Sequence, residues 1–114
     1  LLRSSVNDMA KFFMMFINDG TYNGVKILSK ETTDLMKEVQ FEYEEDGEAS
    51  NTCLIWYFDG DDYIGHEGSE EGVKSSMFYD LKENVGIIAI ANVSDADIEE
   101  IEQNLYDHAM EFLE

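Results

Sequence analysis

His66, Gly68 and Ser69 stand within a short stretch, Gly65-His66-Glu67-Gly68-Ser69-Glu70-Glu71-Gly72. A glycine in a strand lets a ligand or another backbone come close. A backbone N–H at Ser69 pointing into a cleft could hold a developing oxyanion. On residue types alone, the same glycines also suit a bend leading into the next strand. Other chemistries fit less well. The stretch has no Gly-Lys-Ser/Thr, and its glutamates sit where a phosphate would need positive charge. His66-Glu67 lacks the second histidine, four residues on, of a helical zinc site. His108 lies far along the chain and reads as a surface or sheet-packing residue. Asp59-Gly60-Asp61-Asp62 invites a calcium loop, but Tyr63 and Ile64 stand where an oxygen ligand and a glycine are needed. A β-turn is the simpler reading. Asn92-Val93-Ser94 fits the glycosylation sequon, a pattern short enough to arise by accident. Cys53 is the only cysteine, so no intrachain disulfide forms, and its apolar surroundings suit a buried free thiol. No metal or cofactor is expected.

The elements that must carry these residues follow from periodicity. Val6, Met9, Ala10, Phe13, Phe16 and Ile17 recur at helical spacing after Ser4-Ser5, with Ser5 as a cap and Gly20 beyond the end. Phe12, Met14 and Met15 make the second half of this helix apolar nearly all round, so it calls for cover on more than one side. Asn23-Gly24 marks a tight turn. Ser29 opens a second helix with Leu35, Met36 and Val39 on its apolar face. Phe41 to Ser50 reads as an exposed acidic loop. Strands are expected at Cys53 to Phe58, briefly at Tyr63 to His66, at Val73 to Tyr79 and at Val85 to Ala91. Ile98, Ile101, Leu105, Ala109 and Phe112 form one apolar stripe on a last helix, capped by Ser94 or Asp95.

The expected fold is α+β. Two helices precede a three-stranded antiparallel meander, and the C-terminal helix lies across one face of the sheet. The chain divides into a helical segment with its acidic loop (1–50) and a sheet with its helix (51–114).

With 114 residues the chain fits one domain. Leu1 is not a start methionine, and the string looks like a piece of a longer protein. Acidic residues number 26 against 7 basic ones, a formal charge of −19. Like-charge repulsion opposes binding to nucleic acid or to an anionic membrane surface. After Lys82 there is no Lys or Arg, while nine Asp or Glu follow. That asymmetry reads first as a solvated acidic face. No apolar run reaches the roughly 20 residues of a membrane span, and no signal peptide is visible.

The order of these motifs resembles the C-terminal part of the serine beta-lactamase-related family: class C beta-lactamases, penicillin-binding-protein-like hydrolases and related esterases. "LRSSVNDMAKFFMMFINDGTYNGVKILSKETTDLMKEVQ" is similar to the family's two-helix stretch. "IWYF" resembles the strand before the active-site edge, "GHEGSEEGVKSSMFYD" the His-x-Gly strand with its successor, and "VGIIAIAN" the following strand ending in Ala-Asn. The resemblance spans nearly all of the chain. It implies that His66 faces the substrate cleft and that Gly68 lets the acyl group approach. It implies too that the Ser69 N–H is one oxyanion donor, while Glu67 points away. It implies a beta-lactam, a D-amino-acid peptide or an ester as the substrate, and an extracytoplasmic or cell-surface setting.

The family's nucleophile, Ser-x-x-Lys, is missing. Three residues after each serine stand Asn7, Asp8, Thr32, Cys53, Gly72, Phe78, Tyr79 and Asp97. Tyr-x-Asn is missing too, and Ser5-Val6-Asn7 spells its Ser-x-Asn variant only at a helix start. Without nucleophile and base, an oxyanion donor has no covalent step to assist, so this chain alone is expected to be inactive. The alternative is a non-catalytic module that pairs through its sheet. In the family the strand matching Val85 to Ala91 adjoins an N-terminal strand, which this sequence lacks, so an open edge and self-association are expected.

Overall fold

A computed structural model describes residues 3–45 and 48–113. Helix α1 (Val6–Ile17) starts where Ser5 caps it, its hydroxyl accepting the Asp8 N–H at 3.2 Å. It stops at Asn18, and the chain turns through Asp19 and Gly20 at positive φ. The Gly20 N–H returns to the Met15 carbonyl at 2.9 Å. Asn23 and Gly24, both at positive φ, join the short strands β1 (Thr21–Tyr22) and β2 (Val25–Lys26). That is the turn the Asn-Gly pair implied. Helix α2 (Lys30–Lys37) begins at Ser29, whose hydroxyl accepts the Thr32 N–H.

The rest is one antiparallel sheet in sequence order: β3 (Phe41–Glu45), β4 (Glu48–Thr52), β5 (Tyr57–Asp59), β6 (Tyr63–Glu70), β7 (Val73–Asp80) and β8 (Val85–Ala91). Helix α3 (Ile98–Glu111) follows. The α+β class stands, but the sheet has six strands rather than three. Phe41 to Ser50 was expected as a loop. Its described residues instead form a hairpin, β3 against β4, and the 50/51 boundary falls inside β4. Phe41 and Tyr43 do alternate with Glu42 and Glu44, but five acidic residues and Gly47 within ten positions outweigh that short period of two. Cys53 to Phe58 is not one strand. Residues 53–56 form the β4–β5 turn, closed by the Cys53 N–H on the Trp56 carbonyl at 2.8 Å, with Ile55 at φ 65°. The brief strand expected at Tyr63 runs on to Glu70.

Period-two alternation sorts β6–β8 into two faces. Ile64, His66 and Gly68 share one face with Ser75, Met77, Tyr79 and Ile88. Helix α1 covers it, and Phe13, Phe16, Cys53, Trp56, Ile64, Met77 and Tyr79 form the core cluster there. The Cys53 thiol is buried, and burial pushes its pKa up. The all-round apolar α1 now has its reason. Phe13 and Phe16 enter the core, Met15 is buried as well, and Phe12 stacks on Trp56 at 6.0 Å.

The second face carries Gly65, Glu67, Ser76, Phe78 and Asp80, with α3 packed on β7 and β8. The expected stripe of α3 is only partly the one that meets the sheet. Ile98 is buried and Ala109 half-buried, but so are Glu102 and Tyr106, which reach polar partners on β7. The Ser76 hydroxyl donates to Glu102, and the Tyr106 hydroxyl donates to Asp80 at 2.6 Å. Ile101, Leu105 and Phe112 remain exposed. Burial, followed by the nearby carboxylates of Glu67, Asp59 and Glu99, holds the Glu102 pKa above the usual carboxylate range, although Ser76 lowers it. Among the described residues no helix is long and apolar enough to cross a membrane.

Candidate functional site

The β6–β7 hairpin turns through two residues, Glu71 and Gly72, with Gly72 at φ 81°. A two-residue turn closes on a hydrogen-bonded pair, here Glu70 with Val73. Bonded and non-bonded pairs then alternate, so His66 and Gly68 direct their backbone groups to β7. Glu67 and Ser69 direct theirs to the opposite edge. Strand β5 covers that edge only as far as Gly65, which pairs with Tyr57. Beyond it the chain leaves through the 53–56 turn. From His66 onward the outer edge of β6 therefore has no strand partner among the described residues.

Beside this free edge, on the α1 face, opens a cavity of about 700 Å³. Its wall includes His66, Ser75, Met77, Ile88 and Ile90 from the sheet, Trp56 and Ile55 from the turn, and Met9 and Phe12 from α1. Arg3 and Ser4 close one side. The His66 ring stands 6.2 Å from the Tyr57 ring, where β5 ends. Glu67 alternates to the other face, near the Tyr57 hydroxyl, whose pKa is pushed up chiefly by burial and then by Glu67, yet at the open edge it also borders the cavity. Of the three residues singled out in the sequence only His66 lines this cavity; Gly68 and Ser69 border a smaller one of about 280 Å³ farther along β6, with Ile98 and Glu99 of α3. His66 faces the cavity, Gly68 follows on the same face, and the Ser69 N–H projects from the open edge. Ser69 itself is exposed.

The glycines differ in their reasons. A Cβ on Gly65 would collide with the Met77 carbonyl and the Phe78 ring. Another backbone, not a ligand, is what comes close there. A Cβ on Gly68 would meet only the Ser75 hydroxyl at 2.8 Å, a group free to rotate away. Gly65→Ala should therefore cost at least about 2 kcal/mol of stability, through overpacking. Gly68→Ala should stay within about 1 kcal/mol of the parent. Urea titration of both variants checks this; equal losses would mean that the β6–β7 approach is not what demands Gly65.

Sequence reasoning missed Arg3, Met9, Phe12 and Trp56 as cavity residues. The only hint was that α1 is apolar on more faces than a sheet alone can cover. His108 lies on α3, 3.5 Å from Glu111 and against the Phe112 ring, away from His66 and the cavity lining. Asp59 and Gly60 sit at the β5–β6 turn, and Asn92-Val93-Ser94 follows β8. Among the described residues no three His, Cys, Asp or Glu side chains are grouped to hold a metal ion. None of the cavity's serines, Ser4, Ser75 and Ser76, has a lysine three residues on. What the arrangement offers is recognition: a largely apolar pocket bearing the Arg3, His66 and Glu67 side chains, beside an unpaired stretch of strand edge.

No protein-family model, no curated protein and no solved structure matches this chain.

Proposed function

We propose that the chain is the C-terminal portion of a serine hydrolase of the beta-lactamase and penicillin-binding type, and that its sheet and α3 belong to the beta-lactamase/transpeptidase-like fold. In this reading β6 is one wall of the substrate cleft. His66 faces the acyl group, Gly68 leaves it room, and the Ser69 N–H is one of two oxyanion donors. The nucleophilic serine and its lysine come from sequence outside these 114 residues. The substrate is a beta-lactam, a D-amino-acid peptide or an ester, and the parent protein acts outside the cytoplasm.

The observation that carries this reading is the end of β5 opposite Gly65. It leaves the outward backbone groups of Glu67 and Ser69 without a strand partner among the described residues, on the strand whose His66 and Glu67 line the cavity. A hydrolase needs such a donor preorganised and free, whereas a structural sheet would pair it.

The test has two arms. The reading frame upstream of Leu1 should encode Ser-x-x-Lys, and its product should take a fluorescent penicillin or a fluorophosphonate on that serine. The 114-residue chain by itself should leave a chromogenic ester and a chromogenic cephalosporin unchanged. An upstream frame without Ser-x-x-Lys, or turnover by the short chain, overturns the reading.

A further inference from the structure

The sheet ends on β8, and three features there point the same way. First, the outer edge of β8 has no strand partner among the described residues. Because β7 bonds β8 through Val85, Ile87, Ala89 and Ala91, the N–H groups of Gly86, Ile88 and Ile90 face outward. None of the devices that usually blunt an edge is present, since the strand has no lysine, no proline and no charge. Second, the helices above and below overhang that edge. Ile101, Leu105 and Phe112 of α3 are offset by roughly 75° from its sheet-facing residues, on the side away from β6. On the other face a groove of about 370 Å³ lies between α1 and β8, lined by Val6, Ala10, Met14, Ile17, Gly86 and Ile88. The fold thus holds a slot one strand wide, with apolar cover on both sides.

Third, the slot is uncharged in a chain of formal charge −19. The overhanging side of α3 presents Ile101, Asn104, Leu105, His108 and Phe112. Glu100 and Asp107 lie on its far side, and Glu111 only borders it, beside His108. On α1, Asp8 and Lys11 pair with each other at 2.8 Å on the side away from the groove. Two copies of so acidic a molecule can approach closely only where acids are few, and among the described residues only Glu111 borders this face.

We propose that the chain forms a two-fold dimer in which β8 pairs antiparallel with its copy, centred on Ile88. Gly86 then faces Ile90 of the partner subunit, and the seven residues of β8 pair symmetrically. Spacing favours a second copy as the occupant. Neighbouring strands lie about 4.8 Å apart. With α3 seated over β7 and β8, a dyad at the outer edge of β8 sets the two α3 helices about 10 Å apart, which is packing distance for helices. Ile101, Leu105 and Phe112 meet their counterparts there. The pairing is a property of this 114-residue chain; in the hydrolase reading a strand from outside it takes the same edge in the parent protein.

Light scattering on the purified chain at high micromolar concentration should give twice the 13.1 kDa of one copy. Association should tighten in about 0.5 M salt, where the repulsion between acidic surfaces is screened over a few ångströms. The double variant I101E/L105E changes two exposed positions, so it should keep its far-UV spectrum and weigh 13.1 kDa. Ile90→Pro removes an outward N–H without breaking a β7–β8 bond, and should weaken the dimer at least tenfold. Leu35→Glu, on the exposed side of α2, should leave the dimer intact. A wild-type monomer in high salt, or a dimer that survives both edge variants, overturns the proposal. So does a monomer that instead takes up an added apolar strand peptide, which would assign the slot to a different segment.

Discussion

Trp56→Ala should lower the free energy of unfolding by about 4 kcal/mol, at the upper end of what single substitutions do. Trp56 is 2% exposed and is the hub of the α1 face. Its ring stacks on Phe16 at 4.5 Å, on Phe13 at 5.4 Å and on Phe12 at 6.0 Å. Removing it takes away dispersion contacts with three helical residues at once and leaves a void that Ile64 and Met77 on the sheet can fill only in part. A domain of this size holds about 5–15 kcal/mol in total, so the variant should be partly unfolded at 37 °C. Trp56→Phe should cost far less, because the indole N–H has no hydrogen-bond partner among the described residues. A buried donor without a partner is itself destabilising. Urea unfolding followed by circular dichroism measures both. If Trp56→Ala lies within about 1 kcal/mol of the parent, the aromatic stack is not what holds α1 to the sheet.

Asp80→Ala should cost about 3 kcal/mol, because it strands several groups together. Asp80 is 4% exposed at the end of β7. One carboxylate oxygen accepts the Lys82 and Glu83 N–H groups at 2.8 and 3.0 Å, which ties down the β7–β8 turn. The other accepts the Tyr106 hydroxyl, which ties α3 to the sheet. Burial pushes the Asp80 pKa up, but the Tyr106 hydroxyl and the two turn N–H groups outweigh it and hold it below the usual aspartate range. The unfolded chain therefore takes up this proton first as pH falls. The stabilisation is complete above the unfolded value of about 3.9 and is lost as pH drops through the lower folded value. Asp80→Asn keeps an acceptor for the turn and should lose less than Asp80→Ala. The stability difference between parent and Asp80→Asn should be flat from pH 7 to about 5 and shrink below 4. A difference that grows on acidification would mean that Asp80 is not ionised in the folded protein.

The helices and the last two strands were legible in the sequence because single residues mark them. Ser5 caps as expected, α2 opens at Ser29 and Asn23-Gly24 turns as that pair must, but α3 is capped by Asp97 rather than by Ser94 or Asp95. Val85 to Ala91 forms a strand with the bounds its apolar run suggested. The first half of the sheet was not legible. In β3 the alternation of Phe41 and Tyr43 with Glu42 and Glu44 is short and set among acids, and β4 carries almost no apolar signal. The second half of β6 is exposed residue after residue. Pairing to β7, not burial, is what makes it a strand.

The candidate site divides in the same way. That His66 and Gly68 share a face follows from a period of two. Which edge of β6 is free does not, because it depends on where β5 stops. That is decided by the 53–56 turn, where Ile55 adopts a conformation that branched residues rarely take. The stripe on α3 was read correctly as apolar. Its orientation was not foreseen, since Glu102 and Tyr106 claim the sheet through polar bonds.

The strict neighbour-to-neighbour order of the sheet also bears on how the chain closes. Each of β3 to β8 pairs with the next along the chain, so the sheet can close as a succession of short loops at little entropic cost. Docking α1 on β8 is different, because it joins the two ends of the chain across the whole meander. The return of the first helix to the last strand is therefore the contact that closes the longest loop, and the one that carries the largest entropic cost of closure.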